Sequence, residues 1–208
     1  MTAEQFLEDM PLVAILRGVQ PEQIVAVGET LHAEGVRVIE VPLNSPDPFA
    51  SIERLKARLG PACLCGGGTV LTPADVRRVH DAGGELVVSP NTDTRVIART
   101  VELGMIAMPG FATASEAFVA LEAGASRLKL FPASTYGASH VRALKAVLPG
   151  HARLYAVGGI GAPDIAPWRA AGTSGFGFGS EIFKPDYSLS EIAARARNLV
   201  AAMRTARG

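Results

Sequence analysis

A (β/α)8 barrel is the fold class this sequence predicts. Three observations carry that expectation: eight short apolar runs at nearly even spacing, an amphipathic stretch after each run, and polar or glycine residues at the C-terminal end of almost every run. The runs span residues 12–16, 36–43, 62–65, 85–89, 105–109, 126–131, 153–157 and 175–178. Helices are predicted over 21–34, 47–59, 73–82, 92–103, 115–122, 138–148, 163–171 and 190–205. Parallel strands need crossover helices, and eight βα units in a row without a chain reversal favour closure over an open doubly wound sheet.

The elements follow from their residues in order. The first run is unbroken Leu-Val-Ala-Ile-Leu and stops at Arg17, and the second ends in Pro42-Leu43-Asn44-Ser45. The third runs through Cys63 and Cys65 into Gly66-Gly67-Gly68-Thr69, read as the loop that follows the strand. The fourth and fifth close on Pro90-Asn91 and Pro109-Gly110, the sixth on Phe131-Pro132, and the last two on Gly158-Gly159 and Gly179-Ser180. Each helical stretch opens near Pro, Asp, Ser or Thr, and six are followed by Gly35, Gly60, Gly83, Gly104, Gly124 or Gly172, the usual stop signal.

At 208 residues the chain is expected to be a single domain over 1–208, with brief loops. Lys plus Arg number 20 and Asp plus Glu number 20, which gives no charge excess for nucleic acid or a membrane surface. A small molecule is the expected partner. Residues 1–10 carry Glu4, Glu8 and Asp9 and lack a signal peptide's basic start and apolar run. No later stretch is long and apolar enough to span a bilayer, so the expected location is the cytoplasm.

Cys63 and Cys65 fall on one side of a strand and read as small buried hydrophobes; two thiols alone do not make a metal site. His32, His80, His140 and His151 show no ligand spacing, so no metal is expected. The Gly66–Gly68 run lacks the Lys-Ser or Lys-Thr of a P-loop, and no dinucleotide fingerprint opens a βα unit.

Lys129 lies in Arg127-Leu128-Lys129-Leu130-Phe131-Pro132, where alternation turns Leu128 and Leu130 toward the helices and Lys129 inward. Two readings stand on these residues alone. Desolvation would give a neutral, nucleophilic amine, or an acid would pair with a buried ammonium. Arg127 shares the inward parity and is compatible only if it reaches the bottom rim. Glu40, in Val38-Ile39-Glu40-Val41-Pro42, is again one charge in an apolar strand facing inward; it suits proton transfer or structural pairing with Lys129 or Arg17. The loops after the last two strands fit a phosphate: Gly159 and Gly179 allow close backbone approach, and Ser180 is read as the opening of a short helix. Arg17 offers a fork of donors to a carboxylate or phosphate, and Thr69 a hydroxyl beside a glycine turn.

Taken with Ala14-Ile15-Leu16-Arg17-Gly18, Gly67-Gly68-Thr69-Val70-Leu71, Ser89-Pro90-Asn91, Pro109-Gly110-Phe111-Ala112-Thr113 and Ala156-Val157-Gly158-Gly159, these motifs resemble the 2-keto-3-deoxy-6-phosphogluconate and 2-dehydro-3-deoxy-6-phosphogalactonate aldolases over essentially the whole chain. The resemblance implies a class I aldolase with Lys129 as Schiff-base lysine and Glu40 as general acid/base. Arg17, Thr69, Gly159, Gly179 and Ser180 are implied to contact a phosphorylated keto-deoxy sugar acid or pyruvate. It further implies a homotrimer that needs no metal or cofactor. Leu43-Asn44-Ser45 and Pro90-Asn91 resemble the galactonate branch, whose products would be pyruvate and glyceraldehyde 3-phosphate. The gluconate epimer, a phosphosugar isomerase or synthase, and a non-catalytic phosphosugar-binding barrel are the alternatives.

Overall fold

The computed structural model describes residues 1–206. Their strands form one parallel sheet wrapped by helices: β1 (Leu12–Ile15), β2 (Val38–Pro42), β3 (Leu64–Gly68), β4 (Leu86–Val88), β5 (Ile106–Met108), β6 (Gly110–Phe111), β7 (Arg127–Leu130), β8 (Arg153–Val157) and β9 (Gly175–Phe178). The spatial order is β5-β4-β3-β2-β1-β9-β8-β7-β6. The two ends of that order, β5 within the fifth predicted run and β6 just beyond its end, are separated by Pro109, so the sheet is an eight-fold barrel closed through a broken strand. Proline has no N–H to give the ladder, but its carbonyl still accepts from Lys129 N at 2.8 Å, and Phe111 O accepts from Phe131 N at 3.2 Å.

Around the sheet run α2 (Ile24–Ala33), α3 (Pro48–Leu59), α4 (Pro73–Asp81), α5 (Thr94–Glu102), α6 (Ala114–Glu122), α8 (Ala138–Lys145), α9 (Ile165–Ala170) and α10 (Leu189–Thr205). Two helices were not expected from sequence, α1 (Ala3–Asp9) and the one-turn α7 (Ala133–Tyr136). Local chemistry sets the starts. Thr72 caps α4, while Thr113 with Glu116 and Ser188 with Glu191 form capping boxes on α6 and α10. The first predicted crossover helix starts three residues late, at Ile24, because residues 21–23 form a turn.

Two apolar layers result. Outward strand residues, including Ile39, Val41, Leu128, Leu130, Phe176 and Phe178, pack under the helices. Inward residues Val13, Val38, Leu64, Leu86, Val88, Met108 and Tyr155 fill the lower barrel, and Phe6 and Leu7 of α1 plug it from below. An amphipathic helix with Thr2 as its N-cap is therefore what residues 1–10 contribute. Arg127 reaches the bottom rim as its parity required, with Nη1 donating to Glu4 Oε1 at 2.9 Å and Nη2 to Glu4 Oε2.

One boundary changes the reading of the site. The third strand is not 62–65 but Leu64–Gly68, so Gly66-Gly67-Gly68 is sheet rather than loop. A side chain on Gly66 would sit 2.7 Å from the carbonyl carbon of Leu86 and closer still to its oxygen. Glycine here lets β3 and β4 approach each other, a reason alternation of hydrophobicity does not reveal.

Candidate active site

The upper barrel interior is polar where the lower one is apolar. Lys129, on β7, is 6% exposed, and Glu40, on β2, is 2% exposed. Burial drives both toward their neutral forms. It pulls the Lys129 amine below its ordinary value, against the opposing pull of the Glu40 charge, and nearby Arg17 lowers it further. It pushes the Glu40 carboxyl up to about 7, with Lys129 and then Arg17 acting in the opposite direction. A carboxyl with a pKa of about 7 holds and releases its proton near neutral pH, and an amine that sheds its proton more readily than free lysine is a nucleophile there. Glu40 Oε2 is buried without a hydrogen-bond partner among the described residues.

Space for that carboxylate is made by Gly68. A Cβ there would lie 2.7 Å from Glu40 Oε1 and nearer still to Oε2 and Cδ. The glycine read from sequence as a tight turn is thus the seat of the Glu40 side chain.

Arg17 leaves the end of β1 and donates from Nη1 to Asn44 Oδ1 at 2.5 Å and from Nη2 to Thr69 Oγ1 at 3.5 Å. Thr69 follows β3 with a left-handed φ of 55°, which few non-glycine residues adopt and which cluster at functional sites. Ser45, one residue beyond Asn44, accepts from Gly18 N at 2.9 Å and ties the first two loops together.

The glycine loops follow β8 and β9. Gly158 and Gly159 both have positive φ, 100° and 70°, and Gly158 O accepts from Ser134 N at 3.0 Å. Ser180 opens a turn rather than the predicted helix: Ile182 N and Phe183 N both donate to Gly179 O at 2.9 Å, and Lys184-Pro185 ends the winding. Among the described residues, the N–H groups of Gly159 and Ser180 donate to no backbone acceptor, as an oxyanion cradle requires.

A cavity of about 250 Å³ joins these parts, lined by Arg17, Thr69, Lys129, Gly159, Gly179 and Ser180. Six of the seven residues singled out from sequence thus share one cavity, and Glu40 is buried in the barrel wall beside it. Pro90, Phe131 and Glu181 also line it. Phe131 places its ring centroid 4.9 Å from Lys129 Nζ. The parity that turned Lys129 inward applies equally two residues on, so Phe131 was findable. Glu181 carried no signal beyond standing next to Ser180.

No group of three or more His, Cys, Asp or Glu among the described residues could hold a metal ion. Cys63 and Cys65 are buried on the outer face of β3 and its approach, and burial pushes their thiols up to about 11 and 12, far from thiolate chemistry. Among the described residues, no helix is long and apolar enough to cross a membrane.

Comparison with known proteins bears on this geometry. Residues 3–195 match the family described as KDPG and KHG aldolase. A probable 2-dehydro-3-deoxy-6-phosphogalactonate aldolase of Rhizobium meliloti is 47% identical over 194 residues, 93% of this chain and 92% of its own. The 2-dehydro-3-deoxy-6-phosphogalactonate aldolase of Escherichia coli is 43% identical over 203 residues, 97% of this chain and 98% of its own. A solved structure described as native KDPGal superposes with a TM-score of 0.94 at 42% identity, covering 95% of this chain and 96% of that one.

Proposed function

The chain belongs to the family of KDPG and KHG aldolases, and from that premise we propose how its own residues perform the cleavage of 2-dehydro-3-deoxy-6-phosphogalactonate to pyruvate and glyceraldehyde 3-phosphate. It is a class I aldolase, a lyase. The observation that carries the assignment of roles is the burial of an amine and a carboxyl together in the upper barrel, Lys129 6% and Glu40 2% exposed, which lowers the pKa of the amine and raises that of the carboxyl to about 7.

The neutral Lys129 amine attacks the C2 ketone, forming the C–N bond of a carbinolamine, and loss of water gives an iminium. Removal of the C4 hydroxyl proton then lets the C3–C4 electron pair move toward the iminium nitrogen. Glyceraldehyde 3-phosphate leaves as the aldehyde and an enamine stays on Lys129. Protonation at C3 and hydrolysis of the resulting iminium release pyruvate and restore the amine. Glu40 acts through these steps as the proton carrier, because a carboxyl balanced near pH 7 both accepts the hydroxyl proton and returns one. Arg17 and Thr69 hold the substrate carboxylate; Gly159, Gly179 and Ser180 hold its phosphate through backbone N–H groups and a hydroxyl.

The assembly is proposed to be a homotrimer acting in the cytoplasm on small molecules, with no nucleic acid, membrane or cofactor involved. Exposed Val101 on α5 with Phe118 and Val119 on α6 supplies apolar surface for subunit contact, and light scattering would read the mass directly.

Borohydride reduction in the presence of pyruvate tests the chemistry. The expected result is one stoichiometric adduct, mapped by mass spectrometry to Lys129 and absent in Lys129→Ala. An adduct on another lysine overturns the role given to Lys129. Coupled pyruvate release from the two C4 epimers tests the substrate, with the galactonate epimer expected to show the higher kcat/KM.

A further inference from the structure

The two ends of the catalytic cavity differ in charge. Among the described residues, its lining lysine and arginine side chains are Lys129 and Arg17, and both stand at the end given to the substrate ketone and carboxylate. The distal end is built by the loops after β8 and β9, and there the lining consists of glycines, Ile160, Ser180 and a single charged side chain, Glu181. A place suited to a phosphate dianion thus carries a carboxylate and no cation.

Glu181 leaves the β9 loop and lies against the β8 loop: a Cβ built on Gly161 would fall 3.4 Å from its Oε2 and 3.8 Å from its Cδ. The Gly161 N–H does not neutralise it, because that group donates to Asp164 Oδ2 at 2.8 Å. Among the described residues, the Glu181 carboxylate has no hydrogen bond or ion pair; Arg195 Nη1 reaches only its backbone oxygen, at 3.4 Å. The cations of the segment that follows are drawn to Tyr187 instead. Lys184 Nζ lies 5.4 Å and Arg195 Cζ 4.3 Å from that ring centroid, and neither residue lines the cavity.

We propose that Glu181 is a specificity-determining residue for the distal group: its charge opposes the phosphate and sets how tightly the phosphorylated product is held. This rests on the reading that Gly159, Gly179 and Ser180 receive that phosphate. Donors aimed at a group remote from the reacting bond hold substrate and product alike, so a strong hold there retains glyceraldehyde 3-phosphate after cleavage. A carboxylate beside the donors loosens the hold and leaves the donors in place. A compact space of about 250 Å³ is narrower than the ~10 Å Debye length at about 0.1 M salt, so a phosphate inside it feels the charge. Glu181 is itself exposed, and solvent keeps the repulsion moderate.

Titration calorimetry of the intact protein with glycerol 3-phosphate, a stable mimic of the leaving product, reads the phosphate end without turnover. Failure of wild type to release pyruvate would therefore count against the proposed reaction and leave this measurement standing. Glu181→Gln and Glu181→Ala are each expected to bind at least about fivefold more tightly than wild type, with the gap narrowing as salt rises. Glu181→Asp keeps the charge and should stay within about twofold of wild type, and pyruvate trapping on Lys129 should match wild type within about twofold in all three variants. Tightening below fivefold in either neutral variant overturns the proposal, and tightening by Glu181→Gln alone assigns the effect to a new donor and does the same. It is equally overturned by a Glu181→Asp affinity equal to that of Glu181→Gln, by a gap that salt leaves unchanged, by altered pyruvate trapping, or by no binding of glycerol 3-phosphate to any of the four proteins.

Discussion

Replacing Gly68 with alanine separates the seat of Glu40 from its chemistry. The added methyl would fall 2.7 Å from Glu40 Oε1 and closer to Oε2, on a central strand whose neighbours β2 and β4 fix its position. The side chain has to rotate away or the strand has to shift. Overpacking of this kind costs roughly 1–3 kcal/mol, against a total of about 5–15 kcal/mol for a natural domain, so the variant folds with a Tm lower by about 2–12 °C. The loss of a positioned general acid/base is larger in effect, on the order of 10² to 10⁴ in rate. The expectation is a kcat at least about 100-fold lower in a coupled pyruvate assay, while the pyruvate adduct on Lys129 still forms under borohydride. Gly67→Ala is the control. Its Cβ would meet Val79 Cγ2 at 2.6 Å on the helix side, so it loses stability without touching Glu40 and should keep kcat within about tenfold of wild type. Gly68→Ala with kcat within threefold of wild type would refute the claim that Glu40 must sit where it does.

Four further outcomes are expected. Because burial pushes the Glu40 carboxyl from 4.5 to about 7, the folded chain holds a proton that the unfolded chain releases between those values. Stability should therefore fall as pH rises through that window, by at most about 3 kcal/mol, and Glu40→Gln should flatten the fall in pH-resolved urea melts and remove the kinetic pKa near 7. Gly159→Ala forces a side chain onto a φ of 70° and to within 2.8 Å of Ser134 Cβ; it should raise KM for the phosphorylated substrate about tenfold or more while leaving pyruvate trapping intact. Asn44→Leu frees the Arg17 fork and should raise KM several-fold with kcat little changed, as steady-state kinetics would show. Glu4→Ala leaves the buried Arg127 guanidinium without its carboxylate and should cost about 2–4 kcal/mol in urea unfolding, with kcat unchanged because the pair lies at the opposite end of the barrel.

Hydrophobic periodicity made the barrel readable because each strand's outward residues must pack under helices, whatever the reaction. It failed where the determinant was a neighbour rather than a pattern. The split of the fifth strand at Pro109 depends on a ladder partner supplied by Lys129, twenty residues away in sequence. The extension of β3 through Gly68 depends on the proximity of Leu86 and Glu40, and a run of glycines looks the same whether it turns or is squeezed. Helix α1 is short and its apolar face is two residues, Phe6 and Leu7, so its signal was too weak until the open barrel floor was known.

The site was legible for a different reason. A charged residue in an apolar strand is improbable unless something compensates it, so Lys129 and Glu40 announced themselves singly, and strand parity placed both inside. Parity alone treated Arg127 and Lys129 alike, yet they have opposite uses. The difference is the partner. Arg127 meets Glu4 from a helix that sequence periodicity missed, and it stays a charged rim residue. Lys129 faces the charge of a carboxyl that burial has itself driven toward neutrality, so neither charge is held firmly and a proton is exchangeable between them and substrate. Two inward cations on one strand are thus told apart by the acid each one finds, and that information resides in the contacts across the barrel rather than in the strand that carries them.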